Sequence, residues 1–219
     1  MEKIIVRLRE KQYSIYIEKG LLDEIGSQLK RSFDVQKIAV ITDQYVDRFY
    51  GERFLNSLKK AAFTPFKIVI PPGEKSKNFS MLINIYEKLL QAGITRSDLI
   101  ITLGGGVVGD LGGFAAATYL RGVPYIQVPT TLLAQIDSSI GGKVAVDLDM
   151  GKNLVGSFYH PEVVFIDPEL LKTLDKRFLH DGVAEAIKYG CIRDKELFDS
   201  LYHYRNDDEL LDHMDYIIS

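Results

Sequence analysis

The chain has 219 residues, of which 46% are hydrophobic and 26% charged, a composition typical of one large or two small folded domains. Its net charge is −3 and no basic run is longer than two residues, which argues against nucleic acid as a partner. Cys191 is the only cysteine, so the sequence has neither a disulfide framework nor a thiolate metal cluster. We expect a cytoplasmic protein without a membrane partner, because the first residues are too charged for a signal peptide and no apolar stretch is long enough to span a bilayer.

The first part of the chain alternates between short apolar runs and amphipathic segments. In chain order, the pattern predicts strands at 4–8 and 13–17, a helix at 21–31, a strand at 37–42, a helix at 45–62 and a strand at 66–70. The strand KIAVIT is almost continuously apolar rather than alternating. Such strands are typical of a parallel sheet that helices cover on both faces. We therefore predict an α/β fold with a mostly parallel sheet.

The most informative stretch is LIITLGGGVVGDLGG, at 99–113. Its apolar start predicts a buried strand that ends at three glycines, and the small residues up to 120 predict a buried helix. Gly104, Gly106 and Gly109 match G-x-G-x-x-G, a pattern in which free N–H groups at a helix start bind a pyrophosphate. A tight turn that uses glycines only for close packing explains the pattern equally well. The acidic residue expected about twenty positions later is missing, so a dinucleotide bound here requires a different topology from the usual one.

Two further segments follow predicted strands. The loop PPGEKSK lies at 71–77, and paired threonines after the strand at 125–128 cap a helix that reaches Ser139. Ligands of open α/β sheets bind at the carboxyl ends of the strands, where both segments would lie. The ordinary interpretation of the segment at 71–77 is a charged loop exposed to solvent. The Gly-Lys pairs at 142–143 and 151–152 lack the other residues of a P-loop.

Beyond residue 167 the composition changes and the pattern favours helices, which are predicted at 168–173, 177–189, 195–203 and from 209 onward. We therefore divide the chain into a nucleotide-binding α/β domain at 1–167 and the first helices of an all-α domain at 168–219. Glu185 and Lys188 lie three positions apart on one of these helices. They fit a local ion pair, and equally a metal ligand beside a cation.

Five motifs together resemble the 3-dehydroquinate synthase family of sugar-phosphate cyclases. They are PPGEKSK at 71–77, LGGGVVGDLGGFAAATYLRG at 103–122, VPTTLLAQIDSSIGGK at 128–143, GKNLVGSFYHP at 151–161 and GVAEAIKYG at 182–190. Asp147 departs from the family pattern, in which an asparagine is common. The resemblance implies a lyase that uses NAD and a divalent metal to convert 3-deoxy-D-arabino-heptulosonate 7-phosphate into 3-dehydroquinate and phosphate, in the shikimate pathway. The implied steps are oxidation by NAD, elimination of phosphate, reduction by the same NADH, ring opening and aldol closure.

The same resemblance implies roles for single residues, in a full-length homodimer. Asp43 would bind the adenosine ribose of NAD, and Glu185 would bind zinc or cobalt. The catalytic group would comprise Arg121, Asp137, Lys143, Asn153 and Lys188. The other cofactor contacts would come from the charged loop, the glycine loop, the paired threonines, two lysines that also face the substrate, and a late segment that closes over the NAD. These residues are Glu74, Lys75, Ser76, Lys77, Gly105, Gly106, Val107, Val108, Gly109, Asp110, Thr130, Thr131, Lys143, Lys152, Leu170, Leu171, Lys172 and Thr173.

The metal is the weakest part of the match. The family binds it with one glutamate and two histidines, and those histidines lie in a helical region that would follow residue 219. The histidines present here, of which two fit helix surfaces, show no ligand spacing; they are His160, His180, His203 and His213. We therefore expect a fragment without tight metal binding or turnover.

The last helices carry an apolar face that continues to the final residues without a cap. On that basis we expect exposed apolar side chains at Leu210, Leu211, Ile217 and Ile218. Three interpretations of function stay open from the sequence. They are part of a 3-dehydroquinate synthase, a related enzyme such as 2-deoxy-scyllo-inosose synthase or a polyol dehydrogenase of similar fold, and a non-catalytic nucleotide-binding module.

Overall fold

The computed structural model describes residues 1–9 and 11–219. Its strands are β1 (Glu2–Arg7), β2 (Gln12–Ile17), β3 (Lys37–Asp43), β4 (Thr64–Ile70), β5 (Leu99–Gly104), β6 (Tyr125–Pro129), β7 (Lys143–Leu148), β8 (Gly151–Phe158) and β9 (Val163–Ile166). In this part of the chain seven strands form one sheet in the order β1-β2-β9-β6-β5-β3-β4, and β7 and β8 form a separate antiparallel hairpin.

The helices are α1 (Ile25–Ser32), α2 (Gln44–Val46), α3 (Glu52–Lys60), α4 (Phe79–Gln91), α5 (Gly106–Thr118), α6 (Lys176–Ile192), α7 (Lys195–His203), α8 (Asp207–Asp212) and α9 (Met214–Ile218). Short 3₁₀ turns lie at Leu21–Asp23, Glu74–Ser76, Tyr119–Arg121 and Pro168–Thr173, and π-helical turns at Asp47–Gly51 and Ala134–Ser138. No helix of the described residues is long and apolar enough to cross a bilayer.

The sheet confirms the predicted α/β class. From β2 to β4 along the sheet order, each strand runs parallel to its neighbours. Only the edge strand β1 runs antiparallel to the strand beside it. All six residues of β5 are buried, because helices cover the sheet on both faces. Side chains of α1 and α3 share one apolar cluster with the sheet, and side chains of α4 and α5 share a second.

Several elements differ from the sequence prediction. The strand β9 and the hairpin β7–β8 were not predicted, since β9 has only four residues and the hairpin sequence is interrupted by charges. The helix predicted at 45–62 contains the π-helical turn Asp47–Gly51, and the helix predicted up to Ser139 is largely the π-helical turn Ala134–Ser138.

The helices at the end of the chain pack on the sheet. Leu210, Ile217 and Ile218 are only 6%, 7% and 9% exposed, and they join one apolar cluster with side chains of β2 and β9. The expectation that these residues, with the partly buried Leu211, form an exposed apolar surface is therefore wrong. The face of the sheet at β2 and β9 covers the apolar side of these helices, which the local sequence of the helices does not reveal.

Candidate functional site

The carboxyl ends of five parallel strands meet at one edge of the sheet. Asp43 ends β3, the loop at 71–77 follows β4, Gly105 follows β5, Thr130 follows β6 and Asp167 follows β9. From β3 the chain first adds β4 on one side and then returns to add β5 on the other. The reversal opens a crevice between β3 and β5, which is where open α/β sheets bind their ligands.

The start of α5 faces this crevice and is built to accept an anion. Gly105 precedes the helix and makes no side-chain cap, and the amide of Gly109 is bonded to Gly105 O at 3.0 Å. The N–H groups of Gly106, Val107 and Val108 have no acceptor within a helix, so they point out of its end. A pyrophosphate carries the oxygens that such a helix start binds.

The glycines of this loop also pack closely. A Cβ on Gly104 would lie 2.6 Å from Val108 Cβ, and one on Gly105 would lie 2.9 Å from Thr131 Cγ2. Both distances are shorter than real Cβ contacts, so larger residues would force the loop apart. Close packing and an accessible backbone are therefore properties of the same loop, and the two interpretations of the motif do not exclude each other.

Two buried hydroxyl groups near the carboxyl ends of β3 and β6 lack hydrogen-bond partners among the described residues. Thr42 and Thr130 are 0% and 3% exposed, and neither Oγ1 atom has a donor or acceptor within reach. Thr42 lies beside Leu103 on β5, and the amide of Thr130 bonds Gly104 O at 3.0 Å. Buried hydroxyls are nearly always paired, so these two are exceptions. Neither oxygen is open to solvent, and the two hydroxyls by themselves do not indicate a ligand.

Asp43 serves first as a helix cap. Its Oδ1 accepts hydrogen bonds from the amides of Tyr45 at 2.8 Å and Val46 at 3.1 Å. Burial raises the pKa of this carboxyl, and the two amide donors oppose that shift. Both capping bonds go to one oxygen, which leaves Oδ2 to accept a hydroxyl group in the crevice.

A buried ion pair lies on the other side of the glycine loop. Lys77 Nζ donates to Asp110 Oδ2 at 2.5 Å and also to Asn153 Oδ1. Burial raises the pKa of the Asp110 carboxyl, and the neighbouring Lys77 ammonium opposes the rise. Lys152 Nζ lies 3.4 Å from Glu74 Oε1 at the surface of the same region. The structure thus brings the loop at 71–77, the first turns of α5 and the hairpin β7–β8 together.

The helix α6 contributes a second polar group. Glu185 is paired with Lys188, whose Nζ lies 5.0 Å from the ring centroid of Tyr189. The hydrogen bond from Lys188 is the main reason that the pKa of Glu185 is lowered. Burial raises the pKa of Tyr189, and the carboxylates of Asp137 and Glu185 add to that shift. Tyr189 therefore lies near Asp137, a proximity that sequence reasoning missed.

Metal ligands are not assembled in this part of the chain. Within 1–9 and 11–219, no three His, Cys, Asp or Glu side chains are grouped to hold an ion. His180 Nε2 instead contacts Asp207 at 2.7 Å. His203 lies exposed at the end of α7, as predicted, whereas His213 lies exposed in the turn between α8 and α9. The residues present do not fit a divalent metal without further ligands, because catalytic zinc sites use three protein ligands and Glu185 supplies one.

This donor set gives a direct prediction for zinc. We expect no stoichiometric zinc binding by the chain at about 1 μM metal, since a single carboxylate does not compensate for dehydration of the ion. Calorimetric titration of the chain and of a Glu185→Gln variant should give the same weak heats. Tight binding that the variant loses would show that the ligand set has been misjudged.

Two of the regions that the family resemblance assigned to the site do not line the crevice as expected. Arg121 follows α5 at its far end, about 20 Å from the glycine loop by the length of a 13-residue helix. Within this chain, Arg121 is therefore placed away from the glycine loop. Leu170 and Leu171 are each 1% exposed and pack in the core, so their side chains do not close over a cofactor. Tyr50 fixes that segment, since its hydroxyl lies 2.8 Å from Thr173 Oγ1, and only Lys172 and Thr173 are exposed.

Comparisons with known proteins agree with this geometry. The family model described as 3-dehydroquinate synthase N-terminal matches residues 67–181, more than half of the chain. The 3-dehydroquinate synthase of Clostridium acetobutylicum is 59% identical over 218 residues, which cover 100% of this chain and 61% of that protein. The chain thus spans about three fifths of the length of this curated relative.

Two solved structures have the same fold. A 2-epi-5-epi-valiolone synthase from Streptomyces hygroscopicus, with NAD⁺ and Zn²⁺ bound, is 28% identical with a TM-score of 0.87 and covers 98% of this chain and 60% of its own. A 2-deoxy-scyllo-inosose synthase complexed with carbaglucose-6-phosphate, NAD⁺ and Co²⁺ is 27% identical with a TM-score of 0.84. The match covers 99% of this chain and 61% of the synthase chain. By its sequence motifs, its fold and the match of the family model, the chain belongs to the 3-dehydroquinate synthase family.

Proposed function

We propose that this chain is the NAD-binding part of a 3-dehydroquinate synthase. The observation that carries the proposal is the crevice between β3 and β5, where the glycine loop and the uncapped start of α5 follow β5 at the carboxyl edge of the sheet. This arrangement fits a dinucleotide, because the free N–H groups at the helix start supply donors for a pyrophosphate and Asp43, at the end of β3, supplies an acceptor for a ribose hydroxyl. NAD would supply a hydride acceptor, and the same molecule would return the hydride later in the reaction.

The residues of this chain bind and orient in that reaction. The N–H groups of 106–108 would hold the pyrophosphate, and Asp43 Oδ2 would accept hydrogen bonds from the adenosine ribose. Lys143, Lys152 and Lys188 are exposed cations around the crevice, and they suit a sugar phosphate. Asn153 would fix a hydroxyl of the sugar. We derive no step through the metal, because Glu185 is the one ligand of the proposed set that this chain supplies.

The substrate assignment follows from similarity. The whole protein would convert 3-deoxy-D-arabino-heptulosonate 7-phosphate into 3-dehydroquinate and phosphate. A cyclase acting on a hexose phosphate is the second candidate, supported by the likeness to the 2-deoxy-scyllo-inosose synthase structure. The 59% identity to a 3-dehydroquinate synthase, against 27% to that cyclase, favours the first. We also propose a homodimer in the cytoplasm, with neither nucleic acid nor a membrane as partner.

Product analysis tests this assignment. The protein that carries this chain would be supplied with NAD, a divalent metal and, separately, the heptulosonate phosphate or glucose 6-phosphate. We expect phosphate release and a dehydroquinate from the first substrate only. A carbocycle formed from glucose 6-phosphate alone would overturn the assignment in favour of the second candidate.

Cofactor choice gives a second prediction. The chain should bind NAD at least about tenfold more tightly than NADP, because the Asp43 carboxylate would repel a 2′-phosphate. An Asp43→Asn variant keeps the oxygen that caps α2 and removes the charge, so it should lose this preference and stay folded. The control is Asp34→Asn, which removes an exposed carboxylate from the turn before β3. This variant makes the same change of charge and should keep the preference for NAD. Equal binding of NAD and NADP by the unaltered chain would remove the ribose role from Asp43.

A further inference from the structure

Lys77 is a buried cation whose known neighbours are protein groups. Its side chain is 5% exposed. The ammonium donates to Asp110 Oδ2 on α5 and to Asn153 Oδ1 on β8. Of its three N–H groups, two are therefore directed at the protein and at most one can reach a ligand. An ammonium that served mainly to bind a cofactor phosphate would have its donors free.

The main chain of Lys77 holds the same hairpin a second time. Its carbonyl oxygen accepts a hydrogen bond from the amide of Asp147 at 2.8 Å. Asp147 Oδ1 in turn accepts one from the amide of Asn153 at 2.7 Å. These bonds form a closed ring from Lys77 through Asp147 and Asn153 back to Lys77. The carboxylate at 147, where the family often has an asparagine, thus has a defined acceptor role.

Asn153 needs such support. Its φ is 57°, in the left-handed region, which asparagine adopts more readily than most residues because its short polar side chain can form local hydrogen bonds. It is exposed on β8, where packing does not fix its conformation. The conformation therefore depends on the hydrogen bonds at its amide and its side chain. Lys77 supplies the side-chain bond, from a position 76 residues earlier in the chain.

We propose that Lys77 is a positioning residue that holds Asn153 in its left-handed conformation and ties the hairpin β7–β8 to the glycine helix α5. This role rests on the proposed function, in which Asn153 faces the sugar phosphate and α5 faces the pyrophosphate. Lys77 then makes the two subsites one rigid unit. Its contribution to substrate affinity acts through Asn153 rather than through contact with NAD.

Hydrogen exchange without any ligand tests the positioning directly. In a Lys77→Met variant, the amide of Asn153 should exchange about ten- to a hundredfold faster, the size expected when a charge-assisted hydrogen bond is lost. Amides of the core strand β5 should be unchanged. Lys59→Met, an exposed lysine on α3, is the control and should leave the Asn153 amide as it is. Unaltered exchange at Asn153 in Lys77→Met would overturn the proposal.

A second variant separates positioning from general stability. Lys77→Met leaves the half-buried Asp110 carboxylate without its cation, which destabilises the fold by itself. Lys77→Met combined with Asp110→Asn removes both charges, so it should recover thermal stability while the Asn153 amide still exchanges fast. Slow exchange in this double variant would show that Lys77 acts only by neutralising Asp110.

Kinetics distinguish the proposal from direct cofactor binding. In the protein that carries this chain, Lys77→Met should raise the KM for the sugar phosphate about tenfold and change the Kd of NAD less than about threefold. A large loss of NAD affinity with unchanged exchange at Asn153 would make Lys77 a cofactor ligand instead. If the unaltered protein binds no NAD, the proposed function fails, and the exchange experiment still tests the bond between Lys77 and Asn153.

Discussion

Replacing Gly105 by valine is expected to weaken NAD binding by at least about a hundredfold, the loss of two or more charge-assisted hydrogen bonds. A Cβ at this position would already lie 2.9 Å from Thr131 Cγ2, and the branched methyl groups of valine add to the clash. The loop would have to move away from β6, which turns the N–H groups of 106–108 away from the pyrophosphate. Calorimetric titration with NAD measures the loss.

The matched control for this change lies at the other end of the same helix. Ala117→Ser alters α5 far from the crevice and should bind NAD with unchanged affinity. Thermal unfolding of both variants shows whether the Gly105 effect is local. NAD affinity retained in Gly105→Val, with the variant folded, would mean that the glycines serve packing alone.

Replacing Asp167 by alanine is expected to lower the free energy of unfolding by about 3 kcal/mol or more. The residue is 1% exposed, and its carboxylate accepts amide hydrogen bonds from Gly20, Leu22 and Glu169, each at 3.0 Å. Burial raises the pKa of this carboxyl, while the three amides oppose the rise. Alanine would leave all three donors unpaired, in the turn after β2 and in the segment after β9.

A graded series makes this prediction specific. Gly20 and Glu169 donate to Oδ1, and Leu22 donates to Oδ2. Asp167→Asn keeps one acceptor oxygen, so it should lose roughly a third to a half of what alanine loses. Denaturant unfolding of both variants gives the two free energies. Equal stability of the alanine variant and the unaltered chain would show that water replaces the carboxylate without cost.

The parts of the fold that could be predicted are those with a local cause. The glycine loop and the strand before it were clear, because an apolar run that stops at three glycines has few structural alternatives. The continuous apolar strand at 37–42 indicated a covered parallel sheet, and β3 has that form. The position of the site at the carboxyl edge followed from the parallel sheet.

Contacts between distant segments could not be predicted in this way. β9 lies between β2 and β6, and nothing in its four apolar residues specifies either partner. Tyr189 entered the candidate site only through its neighbours Asp137 and Glu185. The burial of Leu170 in the core, where a cofactor contact was expected, likewise depends on which elements surround it.

Calorimetric titration of the chain with NAD tests the central claim most directly. We expect one NAD per chain, a weaker interaction with NADP, and loss of binding in Gly105→Val but not in Ala117→Ser. The absence of NAD binding by the folded chain, or binding that the Gly105→Val variant retains, would contradict the assignment of the crevice between β3 and β5 as a dinucleotide site.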